Sequence, residues 1–415
     1  MKTKFAIALL FAINAASLLP QTIPGHEFSE IIASNELFGR KLLSELHAAA
    51  PDKNVVISPL PVSFAFAPLT EAIVDSEALG QINSAFEWRD IAMNRGAARL
   101  LSAAFKQPPP ARPRPHPQVS KLTWQLMNQE SPEKLWISTL FTYRGRDALS
   151  PRFVDMGARY FGLKFKSLPW NSTQRPSSLL DDSSAATPES PKGRNDFWIT
   201  STTHLRTAWA DNTFALGKRV NGDFFPKPGQ PESVPMLISE LNAYSHQKTQ
   251  AFESVVFVAR SAYIQVVLPS EEVSLQDLES KLVRDPSLLD PPPNRELGYI
   301  EIPKFNFEFK ADVRGALEKM GVNAVFTTNL ALAELVSGDK GALLNDVSQK
   351  TNIEFNELGI RADAETVTNG VYGGIMGDQP NPFHMLVNRP FLFFIRDNLT
   401  NSLLFAGAVM DPLKH

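Results

Sequence analysis

The sequence contains no cysteine among its 415 residues. A disulfide framework, a cysteine nucleophile, an iron–sulfur cluster and a thiolate zinc site are therefore excluded. It also lacks an excess of basic charge, because 41 Lys and Arg stand against 44 Asp and Glu, which gives a formal net charge of -3. We therefore expect no nucleic-acid partner of the kind that is bound through bulk positive charge.

Catalytic and metal-binding motifs are absent as well. The sequence has no GxSxG nucleophile elbow and no GxxxxGK[ST] phosphate loop. The stretch HEFSE at 26–30 lacks the second histidine of the HExxH zinc motif, and the seven histidines are scattered along the chain. We expect neither an enzyme nor a metal ion or other cofactor.

The first residues are typical of a secretion signal. A short basic start precedes an apolar run at 5–13, and small residues at 15–17 provide a cleavage site. The run is too short to span a bilayer, and no later segment is apolar enough to do so. We predict a signal peptide at 1–17, a mature protein that begins near Leu18, and an extracellular location without membrane contact. Two sequons predict N-linked glycans at Asn171 and Asn398.

The remaining composition favours a large globular core, since 43% of the residues are hydrophobic. Helical and strand periods alternate without a regular βαβ rhythm, which indicates an α+β fold. Helices are predicted at 28–46, about 62–74, after 150 and at 311–320. Strands are predicted at 55–57, 135–141, 197–205, 255–258, 263–268, 299–302, 391–395 and 403–406. Length alone suggests two or three domains.

Several long motifs resemble the serpins, the family of large serine-protease inhibitors. They are YIEIPKFNFEFKADVRGALEKMGV at 299–322, IEFNELGIRADAETVT at 353–368 and NRPFLFFIRDNLTNSLLFAGAVMDP at 388–412, and NVVISPL at 54–60 agrees with them. The resemblance implies one domain over 18–415, with three β-sheets, about nine helices and an exposed reactive-centre loop at about 357–379. It also implies a monomer.

In that family a protease cleaves the loop, which then inserts as a central strand of the largest sheet and carries the acylated protease with it. The resemblance places the hinge of the loop at Glu357, Gly359, Ile360, Arg361, Ala362, Asp363, Ala364, Glu365 and Thr366. With period 2, the face that begins at Ile360 is small or β-branched and could be buried. Inhibitory members usually carry a small residue at the Ile360 position. We expect Asp363 and Glu365 to slow threading, because each must pass a partly dry sheet edge.

The gate through which the loop passes also departs from the inhibitory pattern. Inhibitors of this family hold their central strands with two serines, an asparagine and a histidine. On this sequence the resemblance places these positions at Ser58, Pro61, Ser201 and Gln349, in that order. Pro61 lacks both a hydroxyl and an N–H, so the usual exchange of hydrogen bonds cannot be reproduced unless Ser201 and Gln349 form a substitute network. The tryptophan of the breach, where the loop enters the sheet, is present as Trp209.

The bond that a target protease would cleave falls near Tyr372-Gly373 or Gly373-Gly374. The sequence disfavours a trypsin-like target, because no Lys or Arg lies between Ala362 and Asn388. Two functions stay open. The favoured one is a secreted serpin-fold protein that does not trap proteases and binds an unknown ligand or protein partner. The alternative is an inhibitor of an extracellular chymotrypsin- or elastase-like serine protease.

Overall fold

A computed structural model describes residues 26–89, 134–171, 195–210, 213–214, 220–337, 341–361 and 381–414. The expected signal peptide at 1–17 lies outside these residues. The α-helices are α1 (His26–Ala49), α2 (Pro59–Leu69), α3 (Ser76–Ala85), α4 (Pro151–Phe161), α5 (Leu275–Arg284), α6 (Val313–Lys319) and α7 (Ala324–Thr327), and 3-10 helices span Pro286–Leu289 and Asn329–Leu335.

The described residues also form sixteen strands. They are β1 (Val55–Ile57), β2 (Lys134–Arg144), β3 (Lys164–Leu168), β4 (Asp196–Ala208), β5 (Val220–Lys227), β6 (Gln230–Ile238), β7 (Asn242–Lys248), β8 (Phe252–Val258), β9 (Ala262–Pro269), β10 (Glu296–Pro303), β11 (Phe305–Asp312), β12 (Leu343–Asn356), β13 (Gly359–Arg361), β14 (Phe383–Leu386), β15 (Phe391–Asp397) and β16 (Leu403–Val409). Every predicted strand lies in one of these, so the α+β class is confirmed.

The predicted helices are present, and one of them is displaced. The helix predicted at 28–46 lies within α1 and buries Phe38 and Leu42 in the core. The helix predicted at about 62–74 is α2, which begins earlier, at Pro59, and ends at Leu69. The reason is that Ser58 is extended and Pro59 fills the first helical turn, where a missing N–H costs no hydrogen bond.

One sheet has six strands in the order β11-β12-β13-β4-β2-β3. Along most of their length β12 and β4 pair directly and in parallel, Leu343–Thr351 with Asp196–Thr203. Nearer their C-terminal ends the short strand β13 lies between them. The central strands are thus paired over one part of the sheet and separated by β13 over another.

The other strands form a ten-stranded sheet rather than two separate smaller sheets. β10 pairs with β7 through Glu296 and with β6 through Glu301, so hydrogen bonds join two of the three expected sheets. β14 pairs in parallel with β10. At the opposite end β1 pairs with β16, where Val55 faces Ala408. All residues of β16 are buried, because the core covers this end of the sheet.

Candidate functional site

The base of the expected loop is a strand of the six-stranded sheet. β13 forms a tight hairpin with β12, in which Ile360 pairs with Phe355, and its other edge pairs Ile360 with Thr207 of β4. Ile360 is only 2% exposed and lies in the hydrophobic core. The loop expected over about 357–379 is therefore not an exposed loop along its first residues, because the sheet binds them on both sides.

Gly359 is required by the close approach of β13 to β4. Its φ is 143°, a region that residues with a side chain rarely adopt. A Cβ atom on Gly359 would lie 2.1 Å from the carbonyl oxygen of Thr207 and 2.8 Å from the Cα of Ala208. Both contacts are with backbone, so a larger residue would have to push β13 away from β4.

The turn between β12 and β13 is fixed by side chains. The Oδ1 atom of Asn356 accepts a hydrogen bond from the Leu358 N–H at 2.8 Å. The indole N–H of Trp209 donates to the Asn356 carbonyl at 3.0 Å, and its backbone N–H donates to the Leu358 carbonyl at 3.4 Å. Glu357 forms an ion pair with Lys304 at 2.7 Å. The hinge is thus bonded to β4 and to the segment that precedes β11.

Trp209 also connects this turn with the core. The side chain is 5% exposed. Its ring meets those of Phe355 and Phe214 edge to face, with centroids 5.2 and 5.3 Å apart, and it also contacts Phe257. Edge-to-face contacts of this kind stabilise beyond the burial of area. Trp209 therefore holds the hinge turn through hydrogen bonds on one side and packs on aromatic rings on the other.

The gate is built around the buried amide of Gln349. Its Nε2 donates to the Ser58 carbonyl at 2.8 Å and to the Ser201 hydroxyl at 3.2 Å. Its Oε1 accepts from the Ser58 N–H at 2.7 Å and from the Thr351 hydroxyl at 3.3 Å. Ser201 and Gln349 also face each other in the register of β4 and β12. The sequence left a substitute network of Ser201 and Gln349 as an alternative. The two residues are bonded while β12 and β4 are paired, but separating these strands would break that bond, so it does not replace the exchange of hydrogen bonds.

The two serine positions of the gate contribute no hydroxyl to this network. Pro61 is buried in the first turn of α2, where an N–H would have no helical partner, so the helix tolerates the proline. Ser58 binds Gln349 through its backbone, and its own hydroxyl has no hydrogen-bond partner within the described ranges. Gln349 thus links the start of α2 to β4 through the Ser58 backbone and the Ser201 hydroxyl, without a contact between two serine hydroxyls.

Part of the expected site lies outside the described residues. These positions are Ala362, Asp363, Ala364, Glu365 and Thr366 of the hinge and Tyr372, Gly373 and Gly374 at the bond. The backbone of Arg361 pairs with Glu354 of β12. The sequon residue Asn171 is exposed after β3. At the second sequon, Asn398 donates through Nδ2 to the carbonyls of Ala259 and Arg260, at 2.9 and 3.2 Å.

Sequence reasoning missed a cavity of about 520 Å³ between α1, β9, β15 and the 3-10 helix at Pro286–Leu289. Apolar side chains such as Ile32 form part of its wall, and Glu36, Arg40 and Arg396 form a charged part. One signal could have indicated it. Arg396 directly follows the apolar run FLFFI in a strand, and a charged residue in such a place needs a partner.

The charged wall of the cavity is a carboxylate held between two guanidinium groups. Oε1 of Glu36 accepts from Arg40 at 2.7 Å and from Arg396 at 2.6 Å, and Oε2 accepts from Arg396 at 3.1 Å. Burial alone would raise the pKa of Glu36, but the charges of Arg396 and Arg40 outweigh it and lower the pKa. The Glu36 carboxylate therefore meets two guanidinium groups, and Asp290 adds a second carboxylate to the lining of the cavity.

The described part of the chain also bears on metal binding and on membrane insertion. No group of three or more His, Asp or Glu side chains there could hold a metal ion. No helix in the same ranges has both the length and the apolar character that crossing a membrane requires.

Comparison with curated proteins identifies relatives of one family. The sequence model described as "Serpin (serine protease inhibitor)" matches residues 33–412. Iripin-3 of Ixodes ricinus is 36% identical over 146 residues, which are 35% of this chain and 36% of that protein. The probable non-inhibitory serpin-Z9 of Oryza sativa subsp. japonica is 24% identical over 293 residues, 64% of this chain and 63% of that protein. The chain thus aligns with about a third to under two thirds of the length of these relatives.

A solved structure agrees on the fold. Human thyroxine-binding globulin complexed with thyroxine matches with a TM-score of 0.74 at 16% identity, covering 94% of this chain and 100% of that chain. Serpins generally act on serine proteases as inhibitors and not as enzymes, and the relatives include inhibitory and non-inhibitory members. Since the family match extends over nearly the whole chain, the resemblance is confirmed and this chain belongs to the serpin family.

Proposed function

We propose that this serpin is secreted and binds a ligand or protein partner without trapping a protease. The observation that carries the proposal is the Gln349 amide, which joins Ser58 to Ser201 where β12 pairs with β4. An inserting loop must separate these strands and break the bond from Gln349 to Ser201. Pro61 offers neither a hydroxyl nor an N–H as a new partner, and a buried group that loses its hydrogen bond costs about 1–3 kcal/mol.

The register of β13 supports the proposal that the obstacle is the gate rather than the hinge. If the strand continued in this register after cleavage, Asp363 and Glu365 would fall on the face opposite Ile360. On that face β12 presents partly exposed residues such as Lys350, whereas its other face is buried. The two carboxylates could then reach water or Lys350 in the inserted strand. Their desolvation would therefore cost free energy only while the loop threads past the sheet edge.

Cleavage of the loop provides the test. We expect that a single cut within 370–376 leaves the melting temperature within a few degrees of that of the intact protein, because no strand is added. Full insertion would add a row of ladder hydrogen bonds and would raise the melting temperature much further. Scanning calorimetry of the cut and uncut protein measures the difference.

A variant with the inhibitory gate is the matched control. Pro61→Ser, Ser201→Asn and Gln349→His together restore the family pattern while the loop is unchanged. We expect cleavage to raise the melting temperature of this variant by more than it raises that of the natural sequence. A large upward shift in the natural sequence would contradict the proposal and favour the inhibitor.

The alternative function is inhibition of a chymotrypsin- or elastase-like serine protease. Tyr372 suits the apolar specificity pocket of the former, and Gly373 a small pocket. The distinguishing experiment is incubation with a panel of serine proteases followed by a denaturing gel. A band that contains both proteins, covalently joined, would establish trapping, and cleavage of the loop without such a band would support a non-trapping protein.

The cavity beside α1 supports the binding function. Its volume of about 520 Å³ lies within the range of small-molecule sites. Ile32 and Leu289 provide apolar wall, and the charged part of the lining has two acidic side chains, Glu36 and Asp290, and two basic ones, Arg40 and Arg396. We propose that the cavity accepts a small amphipathic molecule with an apolar body and a polar or charged group.

The aromatic sulfonate 8-anilinonaphthalene-1-sulfonate is a suitable probe for this cavity. We expect saturable binding with increased fluorescence, and loss of that binding when Ile32→Trp fills the cavity. Val74→Trp, at a 61% exposed position that does not line the cavity, is the control that should leave binding unchanged. Equal binding to the two variants would refute the cavity as the site, whatever the result of the cleavage experiment.

Secretion would bring the two sequons to the glycosylation machinery. We propose glycans at Asn171 and Asn398. Asn171 is exposed, whereas a glycan on Asn398 would replace one of the hydrogen bonds of Nδ2 to the Ala259 and Arg260 carbonyls. Asn171 is therefore the sequon that the folded protein accommodates at lower cost.

A further inference from the structure

β14 is the segment that holds the C-terminal end of the loop. It follows the stretch 362–380, and among the described strands it pairs only with β10, over Gly298 to Glu301. Met385 is fully buried, and the Val387 N–H donates to the Glu301 carbonyl at 2.8 Å. A four-residue edge strand has few ladder hydrogen bonds, so side chains contribute much of its attachment.

The first residue of β14 lies on a buried histidine. The ring of Phe383 stacks on the ring of His246, with centroids 3.8 Å apart and an interplanar angle of 5°. His246 belongs to β7 and is 7% exposed. Its Nδ1 lies 2.7 Å from Oε2 of Glu296, and its Nε2 lies 3.0 Å from Oε1 of Glu253. Both ring nitrogens therefore face carboxylate oxygens.

Only one protonation state of His246 gives both contacts a hydrogen bond. A neutral imidazole has one N–H donor and one lone pair, so one of its nitrogens would face a carboxylate without a proton between them. Only the protonated ring donates to both Glu253 and Glu296. The quadrupole of the Phe383 ring also attracts a protonated imidazole stacked on its face. It attracts a neutral imidazole less strongly.

We propose that His246 is a proton-dependent clamp for β14, and so for the C-terminal end of the loop. When His246 is protonated it binds both carboxylates and attracts Phe383. When it loses its proton, one carboxylate loses its donor, the attraction to Phe383 weakens and β14 separates from β10 more often. The inference does not depend on whether the protein traps proteases.

The charges around His246 agree with this direction. Lys248 of β7 pairs with Glu253 of β8, Glu296 lies on β10, and the charge of Arg389 is close enough to interact with Glu253. Burial would lower the pKa of His246, but the hydrogen bonds that its ring donates to Glu253 and Glu296 outweigh burial and raise the pKa above its usual value. The stabilisation is therefore complete below the usual histidine pKa of about 6.5 and is lost as pH rises through the raised pKa.

β14 also contains a histidine that serves as a control. His384 is 40% exposed on the opposite face of the strand, where it bonds to Glu301 at 3.0 Å and stacks on Tyr299. Its ring has one carboxylate partner rather than two, so a neutral tautomer satisfies it. The two histidines thus separate the effect of the clamp from any general effect of histidine titration.

Hydrogen–deuterium exchange of the intact protein from about pH 6 to about pH 9 tests the clamp, with rates corrected for the intrinsic effect of pH. We expect the protection of the β14 amides to fall about tenfold over this range, which corresponds to ~1.4 kcal/mol. Protection of the β15 amides should stay constant. His246→Gln should give low β14 protection at every pH, and His384→Gln should retain the fall.

Two outcomes would overturn the inference. One is that the protection of the β14 amides in the natural sequence does not change with pH. This measurement does not depend on any variant being able to fold. The other is loss of the pH dependence in His384→Gln but not in His246→Gln. Phe383→Leu keeps the carboxylate contacts of His246 and removes the stacked ring, so it should reduce the size of the fall without abolishing it.

Discussion

Replacing Trp209 with alanine should lower the free energy of unfolding by about 3–5 kcal/mol, the usual cost of deleting a large buried aromatic side chain. The change removes the edge-to-face contacts with Phe214 and Phe355. It also removes the hydrogen bond to the Asn356 carbonyl at the hinge turn. We therefore expect β13 to be released as well, which exchange of the Ile360 amide would report. Urea titration followed by circular dichroism measures the stability.

Trp209→Phe separates the two contributions. It keeps an aromatic ring in the cluster and removes the indole N–H. Its loss of unfolding free energy should therefore be smaller than that of the alanine variant, because most of the packing is kept. Leaving the Asn356 carbonyl without this donor costs about 1–3 kcal/mol. If Trp209→Ala unfolded at the same urea concentration as the natural sequence, Trp209 could not hold the hinge as described.

Replacing Glu36 with glutamine should be comparably severe, at about 3–5 kcal/mol, because it leaves two buried positive charges without their shared partner. The side chains of Arg40 and Arg396 are only 4% and 6% exposed, and both bind the Glu36 carboxylate. Equilibrium unfolding in urea at neutral pH provides the measurement. Because Glu36 has a lowered pKa, its contribution is present above the usual carboxyl pKa of about 4.3 and is lost as pH falls through the lowered pKa.

An exposed ion pair of the same spacing is the matched control. Asp155 and Arg159 lie four residues apart on α4 and are 62% and 65% exposed. Water screens such a pair, so Asp155→Asn should cost at most about 1 kcal/mol. Equal losses for Glu36→Gln and Asp155→Asn would show that burial adds nothing to the Glu36 cluster.

The sequence was most informative where its apolar pattern is long and regular. α1 and the strands β15 and β16 bury almost continuous apolar faces, and each was predicted within a few residues. The gate positions Ser58, Ser201 and Gln349 were placed by resemblance, and they are in contact. The sequence did not determine the hydrogen-bond partners of Gln349. A glutamine amide has an NH₂ donor and a carbonyl acceptor, whereas the histidine of the family pattern has two ring nitrogens, so the partners of one do not follow from those of the other.

Other parts of the site depend on contacts that no local pattern encodes. β13 is only three residues long, too short for a period of two, and its place in the sheet depends on the approach of Gly359 to Thr207 and on Trp209. The short strands β3 and β14 are partly polar and were missed for the same reason. The cavity arises where Glu36 meets Arg396, residues that are distant in sequence and adjacent only in the folded protein.

The pairing of β1 with β16 has a consequence for synthesis. The Asn54 side chain donates to the Asp411 carbonyl, 357 positions later, and Val55 pairs with Ala408. A ribosome that adds ~5–20 residues per second needs roughly 20–70 s to make the intervening chain. During that interval β1 has no strand partner, and its three apolar residues must be kept from other contacts. A message truncated before β16 would yield a chain that cannot complete this sheet, so quality control in the cell should remove it.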